Sequence, residues 1–309
     1  MQILATIIPI FIIVMLGWAV HRRGFLPDGF LGPANRLVFY VAIPAMIFQS
    51  IAQSTLREWF NPLVIIMTLM AAAIAYACAW LTCYTTHMHR SMAGTFIQSA
   101  GHGNLGYIGL AVAYYFLGNA GLVHASVIAG FLMILQNLLS IVALQAYSPK
   151  TAATATQNLR MIAAKVMGNP IILAVLAGMA LSVFAIKLPL IVERSLTILS
   201  GLSLPTALLI IGASLSLERM KAHGWIVGGA VAIKLLLLPG LGWLLYHCCD
   251  LPKGDFLPAL ILLASPTATI SFVMAKEMRG DGDLAVATIS ASTLASALTY
   301  MLWLKVASG

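Results

Sequence analysis

Two apolar stretches carry residues that interrupt a helix. The first is SAGHGNLGYIGL at 99–110, and the second is LLASPTATIS at 262–271. Closely spaced glycines leave the first stretch with little helical preference, and Pro266 removes a backbone hydrogen bond in the second. Freed N–H groups and the positive ends of half-helix dipoles attract anions. The two stretches therefore predict an anion-binding centre, provided that they lie together.

Ionisable residues are sparse in the apolar segments. All nine acidic residues fall in predicted loops or near helix ends, so a cationic substrate would meet no carboxylate at membrane depth. Lys234 lies near the middle of its apolar segment, too far from either end to reach water easily. It would either offset the charge of an anionic substrate or bind the carbonyl end of a broken helix. His102, inside the first interruption, is a candidate for carrying a coupling proton.

The composition defines the elements that must position these residues. The chain has 309 residues, of which 61% are hydrophobic and only 8% are charged, which excludes an ordinary soluble domain or a nucleic-acid binder. Continuous rather than alternating apolar runs disfavour a membrane β-barrel. We predict an all-α polytopic membrane protein with ten transmembrane helices. The predicted spans are 2–20, 36–53, 61–84, 92–116, 120–146, 166–186, 194–217, 223–247, 255–277 and 284–305.

The two halves of the chain repeat. Segments 9–27 and 170–189 both start with Pro, carry Gly eight positions later and close with Leu-Pro, and related pairs recur 161 or 162 residues apart. Five spans in each half place the second half upside down relative to the first, as in many secondary transporters. The sequence thus predicts a 5+5 inverted repeat with broken, crossing helices 4 and 9. Its parts are a first repeat (1–146), a cytoplasmic linker (147–165) and a second repeat (166–309).

The distribution of basic residues predicts the orientation. With the N-terminus outside, eleven Lys and Arg residues fall on the inner side and five on the outer side. Positive charge is retained on the cytoplasmic side, so both termini are expected outside. No zinc-protease, serine-hydrolase or P-loop motif is present, and the sequence predicts neither an enzyme nor a protein with a cofactor.

Seven stretches, in order along nearly the whole chain, resemble the auxin efflux carrier family and in particular its bacterial malonate-transporter-like members. They are PIFIIVMLGWAVHRRGFLP, LVFYVAIPAMIFQSIA, GNLGYIGLAVA, NPIILAVLAG, LPTALLIIGASL, IKLLLLPG and SPTATISFVMAKE. One departure is Leu110-Ala111, which stands where the family often has a Pro after the span 4 glycines.

The resemblance implies a fold related to the bile acid:sodium symporters, with a scaffold part and a transport part. It implies transport of organic anions from a site at the helix 4 and helix 9 crossing, in a bacterial inner membrane, and it makes a homodimer an expectation. The substrate-binding residues that it implies are Gly103, Asn104, Asn137, Lys234, Ser265, Pro266 and Thr267.

The sequence therefore predicts a secondary transporter of a small organic anion, a carboxylate, that works by alternating access. Coupling by H⁺ or by Na⁺ stays open. The rival hypotheses are a sodium-coupled symporter of the bile-acid type and, from another class, a membrane sensor or channel-like protein. The expected partners are the anion and the lipid bilayer, with no nucleic acid.

Overall fold

The computed structural model describes residues 2–54, 60–148, 167–221 and 224–308, and these are helical throughout apart from turns and loops. Seven helices within this part of the chain are long and apolar enough to cross a membrane, and Pro170–Val183 is a shorter apolar helix. The helices are α1 (Gln2–Arg22), α2 (Asp28–Ala52), α3 (Pro62–Thr85), α4 (Arg90–Gly101), α5 (Leu105–Tyr147), α6 (Pro170–Val183), α7 (Leu190–Ala213), α8 (Gly224–Cys248), α9 (Lys253–Leu263), α10 (Ile270–Glu277) and α11 (Gly282–Ser308).

Local sequence explains several helix starts and irregularities. Asn61 and Asn169 each cap a helix whose first residue is Pro, and each side chain accepts hydrogen bonds from the two following N–H groups. α2 and α8 each contain one π-helical turn, at Val38–Ala42 and Ile233–Leu237. Each turn ends two residues before a proline, whose missing N–H and bulky ring disturb the preceding turn.

In the first half of the chain, the helices differ from the predicted spans by more than a few residues at two places. α2 begins at Asp28 rather than at residue 36, because the amphipathic segment Asp28–Leu37 is also helical. The predicted fourth span is divided between α4 and the start of α5, and α5 continues through the predicted fifth span with a kink at Gly118, where φ is 73°. The predicted linker at 147–165 lies almost wholly outside the described residues.

The helices pack as two groups. α1, α2, α6 and α7 pack on one another and form the first group; α3, α4, α5, α8, α9, α10 and α11 form the second. Glycines permit the close pairs in the first group: a Cβ on Gly17 of α1 would overlap the Leu209 carbonyl of α7, and one on Gly178 of α6 would lie 3.1 Å from the Phe48 oxygen of α2. The two groups meet where α1, α2 and α6 contact α5, where α7 contacts the first turn of α5, and where α1 contacts α11.

Candidate functional site

The two predicted interruptions meet inside the second group. Gly103 and Thr267 pair as a single antiparallel bridge. The Asn104 N–H donates to the Pro266 carbonyl at 2.7 Å, and the Ala268 N–H donates to the His102 carbonyl at 2.9 Å. Two of the backbone groups that each break frees are thus satisfied by the other break, as buried polar groups require. We call residues 102–104 and 266–268 the crossover.

Gly103 is the residue that allows this close approach. A Cβ at this position would lie 2.6 Å from Ser265 Oγ and 3.2 Å from both Lys234 Cε and Lys234 Nζ. Three residues that the sequence assigns to the site are therefore neighbours in the structure. Any larger side chain at Gly103 would push the Lys234 side chain or the Ser265 loop out of place.

Lys234 is fully buried on the π-helical turn of α8. Its Nζ donates to the carbonyl of Leu263, the last residue of α9, at 2.8 Å. Of the two roles predicted for this side chain, binding the carbonyl end of a broken helix is thus observed directly. None of the ion pairs among the described residues involves Lys234. As an ammonium it therefore brings a positive charge to the crossover without a carboxylate beside it.

Asn104 and Gln136 present buried amides with unused hydrogen-bonding capacity. The Asn104 Oδ1 accepts from the Tyr107 N–H at 3.3 Å, and the Gln136 Oε1 accepts from the Gly103 N–H at 3.2 Å. Asn104 Nδ2 and Gln136 Nε2 are both buried, and neither finds a partner among the described residues. Leaving such donors unpaired is unfavourable, so this pair can accept an oxygen-bearing ligand.

The remaining residues predicted in the second interruption bind the ends of the broken helices. Ser265 Oγ donates to the Leu262 carbonyl at 2.7 Å, and Thr267 Oγ1 donates to the Ser99 carbonyl at 2.8 Å. The Thr267 N–H donates in turn to Ser292 Oγ at 3.0 Å. Pro266 contributes its carbonyl to the crossover pairing. These side chains hold the backbone of the second break in place. The amide donors that lack partners among the described residues, Asn104 Nδ2 and Gln136 Nε2, belong to other segments.

His102 and Asn137 lie in different surroundings. His102 Nδ1 is 2.9 Å from Ser140 Oγ, which is itself 2.8 Å from the Tyr76 hydroxyl, so the imidazole belongs to a buried polar chain beside the crossover. Asn137 Nδ2 donates to the Met133 carbonyl in its own helix at 2.8 Å. Its neighbour Gln136, by contrast, bonds to the Gly103 N–H of the crossover. Both residues are polar in mid-helix, and nothing in the sequence ranked Gln136 above Asn137.

The electrostatics of the crossover combine four helix ends and one charge. α4 and α9 end there with their carbonyls, whereas α5 and α10 begin there with their N–H groups. Helix ends carry opposite partial charges, so the two kinds of end offset each other in part. The Lys234 ammonium already binds one of the carbonyl ends. The arrangement is suited to a small anion and unsuited to a cation.

A separate cavity of about 480 Å³ with mixed polar and apolar walls lies between the two helix groups. Its walls come from the end of α2, the middle of α7 and the part of α5 around its kink, including Ser50, Asn119 and Ser203. Ser50 Oγ and Asn119 Oδ1 bond at 3.3 Å across the group boundary. The cavity lies toward the face where α1 begins, since Gln2 at the start of α1 contacts the carbonyl of Phe116, the residue after the cavity-lining Tyr115. No cluster of three or more metal-ligating side chains occurs in the described part of the chain.

Comparison with known proteins gives a consistent classification. The family model described as "Membrane transport protein" matches residues 2–304. A Rhizobium meliloti (strain 1021) protein named "Putative malonate transporter" is 26% identical over 300 residues, covering 96% of this chain and 93% of that protein. The "Uncharacterized transporter YfdV" of Escherichia coli (strain K12) is 22% identical over 309 residues, covering 97% and 96%. An "Uncharacterized transporter" of Methanothermobacter thermautotrophicus is 22% identical over 302 residues, covering 96% of each chain.

Proposed function

Because the chain belongs to this family of membrane transport proteins, the auxin efflux carrier family, and is a multi-pass transporter rather than an enzyme, we propose that it is a secondary active transporter of a small organic anion. The substrate binds at the crossover and reaches either side of the membrane by alternating access. The observation that carries the proposal is a fully buried Lys234 beside Gly103, without a carboxylate partner among the described residues, together with the Asn104 and Gln136 amides around Gly103, whose NH₂ groups have no partner there either.

Charge balance argues for an anionic substrate. A buried ammonium is costly unless an opposite charge or several dipoles compensate for it. In the described structure Lys234 bonds to one carbonyl, which compensates only partly. A carboxylate bound within reach of Lys234, with Asn104 Nδ2 and Gln136 Nε2 as donors, would complete the compensation. The two amides would also fix the orientation of the bound carboxylate, because each N–H donates along a defined direction.

Backbone contacts support the inverted repeat of five plus five helices. An offset of 161 residues exchanges the contact of Gly17 with Leu209 for that of Gly178 with Phe48. Reciprocal contacts of this kind are expected about a two-fold axis.

The substrate class follows from the site and from the relatives. One relative is named for malonate, a small dicarboxylate. A site with one ammonium and two amide donors suits a carboxylate of that size, and we take malonate as the first test substrate. The protein acts in a bacterial inner membrane with both termini outside, and a homodimer remains an expectation from the family. His102 is our candidate for coupling by protons.

The test is uptake of radiolabelled malonate and other small carboxylates into proteoliposomes. We expect accumulation above the equilibrium level in the parent protein and its loss in Asn104→Ala and Lys234→Met. Lys305→Met is the matched control, since Lys305 is exposed near the end of α11. Equal accumulation by all four proteins would contradict the site. Uptake that requires sodium and ignores a pH gradient would favour the sodium symporter, and single-channel currents without accumulation would favour a channel.

A further inference from the structure

The two helix groups are joined differently on the two faces of the protein. On the face where α1 begins, the cavity of about 480 Å³ lies between them. α7 starts near that face, where Gln53 at the end of α2 donates to Glu193, so α7 ends on the opposite face. There Arg219 pairs with Asp283 at 2.7 Å, and the Ser216 N–H donates to Ser290 Oγ at 3.0 Å. Both contacts join the end of α7 to α11, which belongs to the other group.

A third contact crosses the group boundary between the crossover and this opposite face. Tyr107 follows the crossover directly in the first turn of α5, and its side chain is buried. Its hydroxyl donates to Asn35 Oδ1 at 2.6 Å. Asn35 lies in the N-terminal part of α2, far from the cavity, which is lined by the other end of that helix. The bond therefore joins the first turn of α5 to the half of α2 that lies away from the cavity.

The same tyrosine is tied to the candidate binding residue. Asn104 Oδ1 accepts the Tyr107 N–H at 3.3 Å, while Asn104 Nδ2 remains without a partner among the described residues. A ligand that accepts a hydrogen bond from Asn104 Nδ2 would rotate or polarise this amide. The Oδ1 of the same amide binds the first turn of α5. The position of Tyr107 is thus sensitive to occupancy of the crossover.

We propose that Tyr107 and Asn35 form the gate on the face opposite the cavity, and that Asn104 couples this gate to substrate binding. The inference rests on the proposed alternating access. Tyr107 is a positioning residue: its hydroxyl holds the two helix groups together on one face while the other face is open. Two hydrogen bonds and an exposed ion pair are weak contacts, as a gate that opens in every cycle requires.

The first test measures the gate without any substrate. A cysteine replacing Ala34, a buried residue next to Asn35, reports access when the four native cysteines are replaced by alanine. The full chain in nanodiscs is labelled with a membrane-impermeant maleimide. We expect Tyr107→Phe to raise the labelling rate about fivefold, the effect of one lost hydrogen bond on the open fraction. Tyr84→Phe is the control, since Tyr84 is exposed at the end of α3. An unchanged rate in Tyr107→Phe would overturn the gate.

The second test locks the gate shut. Cysteines replacing Arg219 and Asp283 are joined by a short reducible methanethiosulfonate crosslinker, and malonate uptake and malonate binding are both measured. We expect uptake to fall at least tenfold and to return on reduction, with binding changed less than twofold. The matched pair is Asn61 and Asp255, which bond to each other at 2.8 Å within the second group, so crosslinking it should leave uptake intact.

The outcomes separate the two proposals. Full uptake by the crosslinked Arg219 and Asp283 pair would overturn the gate and leave the transport function standing. A parent protein that neither binds nor accumulates carboxylates would overturn the proposed function, while the labelling difference between Tyr107→Phe and Tyr84→Phe would still decide the gate.

Discussion

Replacing Lys234 by methionine is the most informative single change, because it removes the buried charge and keeps a long side chain. The substitution eliminates the bond from Nζ to the Leu263 carbonyl and leaves the neighbouring Gly103 and Ser265 in place. It therefore separates the electrostatic role of Lys234 from its packing role.

The expected magnitudes differ for binding and for stability. An anion about 4 Å from the ammonium gains about 4 kcal/mol at an effective dielectric constant of about 20. We therefore expect the dissociation constant for malonate to rise about 100- to 1,000-fold in Lys234→Met. Loss of the charged hydrogen bond costs about 1.5–3 kcal/mol. Removing a buried ammonium returns an energy of similar or larger size, so the free energy of unfolding should be unchanged or higher.

The assay is thermal unfolding of the purified protein with and without malonate, together with direct binding of radiolabelled malonate. A ligand that binds only the folded state raises the melting temperature by mass action. The parent protein and Lys305→Met should both show this rise, and Lys234→Met should lose it while remaining at least as stable without ligand. A Lys234→Met protein that binds malonate like the parent would refute the electrostatic reasoning. A variant that fails to fold would show that the bond to Leu263 matters more than the charge.

Three further predictions follow from the crossover. Gly103→Ala should lower stability by about 1–3 kcal/mol and abolish uptake, because its Cβ would press on Ser265 and Lys234, whereas Gly254→Ala, with open space around it, should do neither in thermal unfolding and uptake assays. Gln136→Leu should lower stability by about 1–3 kcal/mol by leaving the Gly103 N–H unpaired, and a variant as stable as the parent in chemical denaturation would contradict this. If His102 carries the coupling proton, His102→Gln should abolish accumulation driven by a pH gradient but retain exchange of internal for external malonate. Accumulation that persists would remove His102 from that role.

The interruptions and their meeting could be predicted from the sequence, because they depend on strong local signals. Glycines at 101–109 and Pro266 cannot sustain a regular helix, and backbone freed inside a membrane must find partners. The sequence predicted that the freed N–H groups would bind an anion, whereas in the structure the Asn104 and Ala268 N–H groups bond to carbonyls of the other break. The position of Lys234 in mid-segment likewise marked it as a residue near the site.

The individual hydrogen-bond partners at the crossover could not be predicted from the sequence, because they depend on the rotation and register of the helices. Gln136 and Asn137 are adjacent and both polar, and only the rotation of α5 decides which of them contacts Gly103. The repeat spacing of 161 residues relates Asn104 to Ser265, whereas the Asn104 N–H bonds to the carbonyl of the next residue, Pro266. Small changes in length between the halves shift this register without altering the apolar pattern. The contact of Tyr107 with Asn35 joins segments 72 residues apart and left no local signal.

The most direct test of the central claim is an experimental structure of the protein in lipid nanodiscs with saturating malonate. The account predicts density for the dicarboxylate at the crossover, with one carboxylate oxygen about 3 Å from Asn104 Nδ2 and within reach of Lys234. Density confined to the cavity between α2, α5 and α7, with Asn104 and Lys234 contacting only protein, would contradict it.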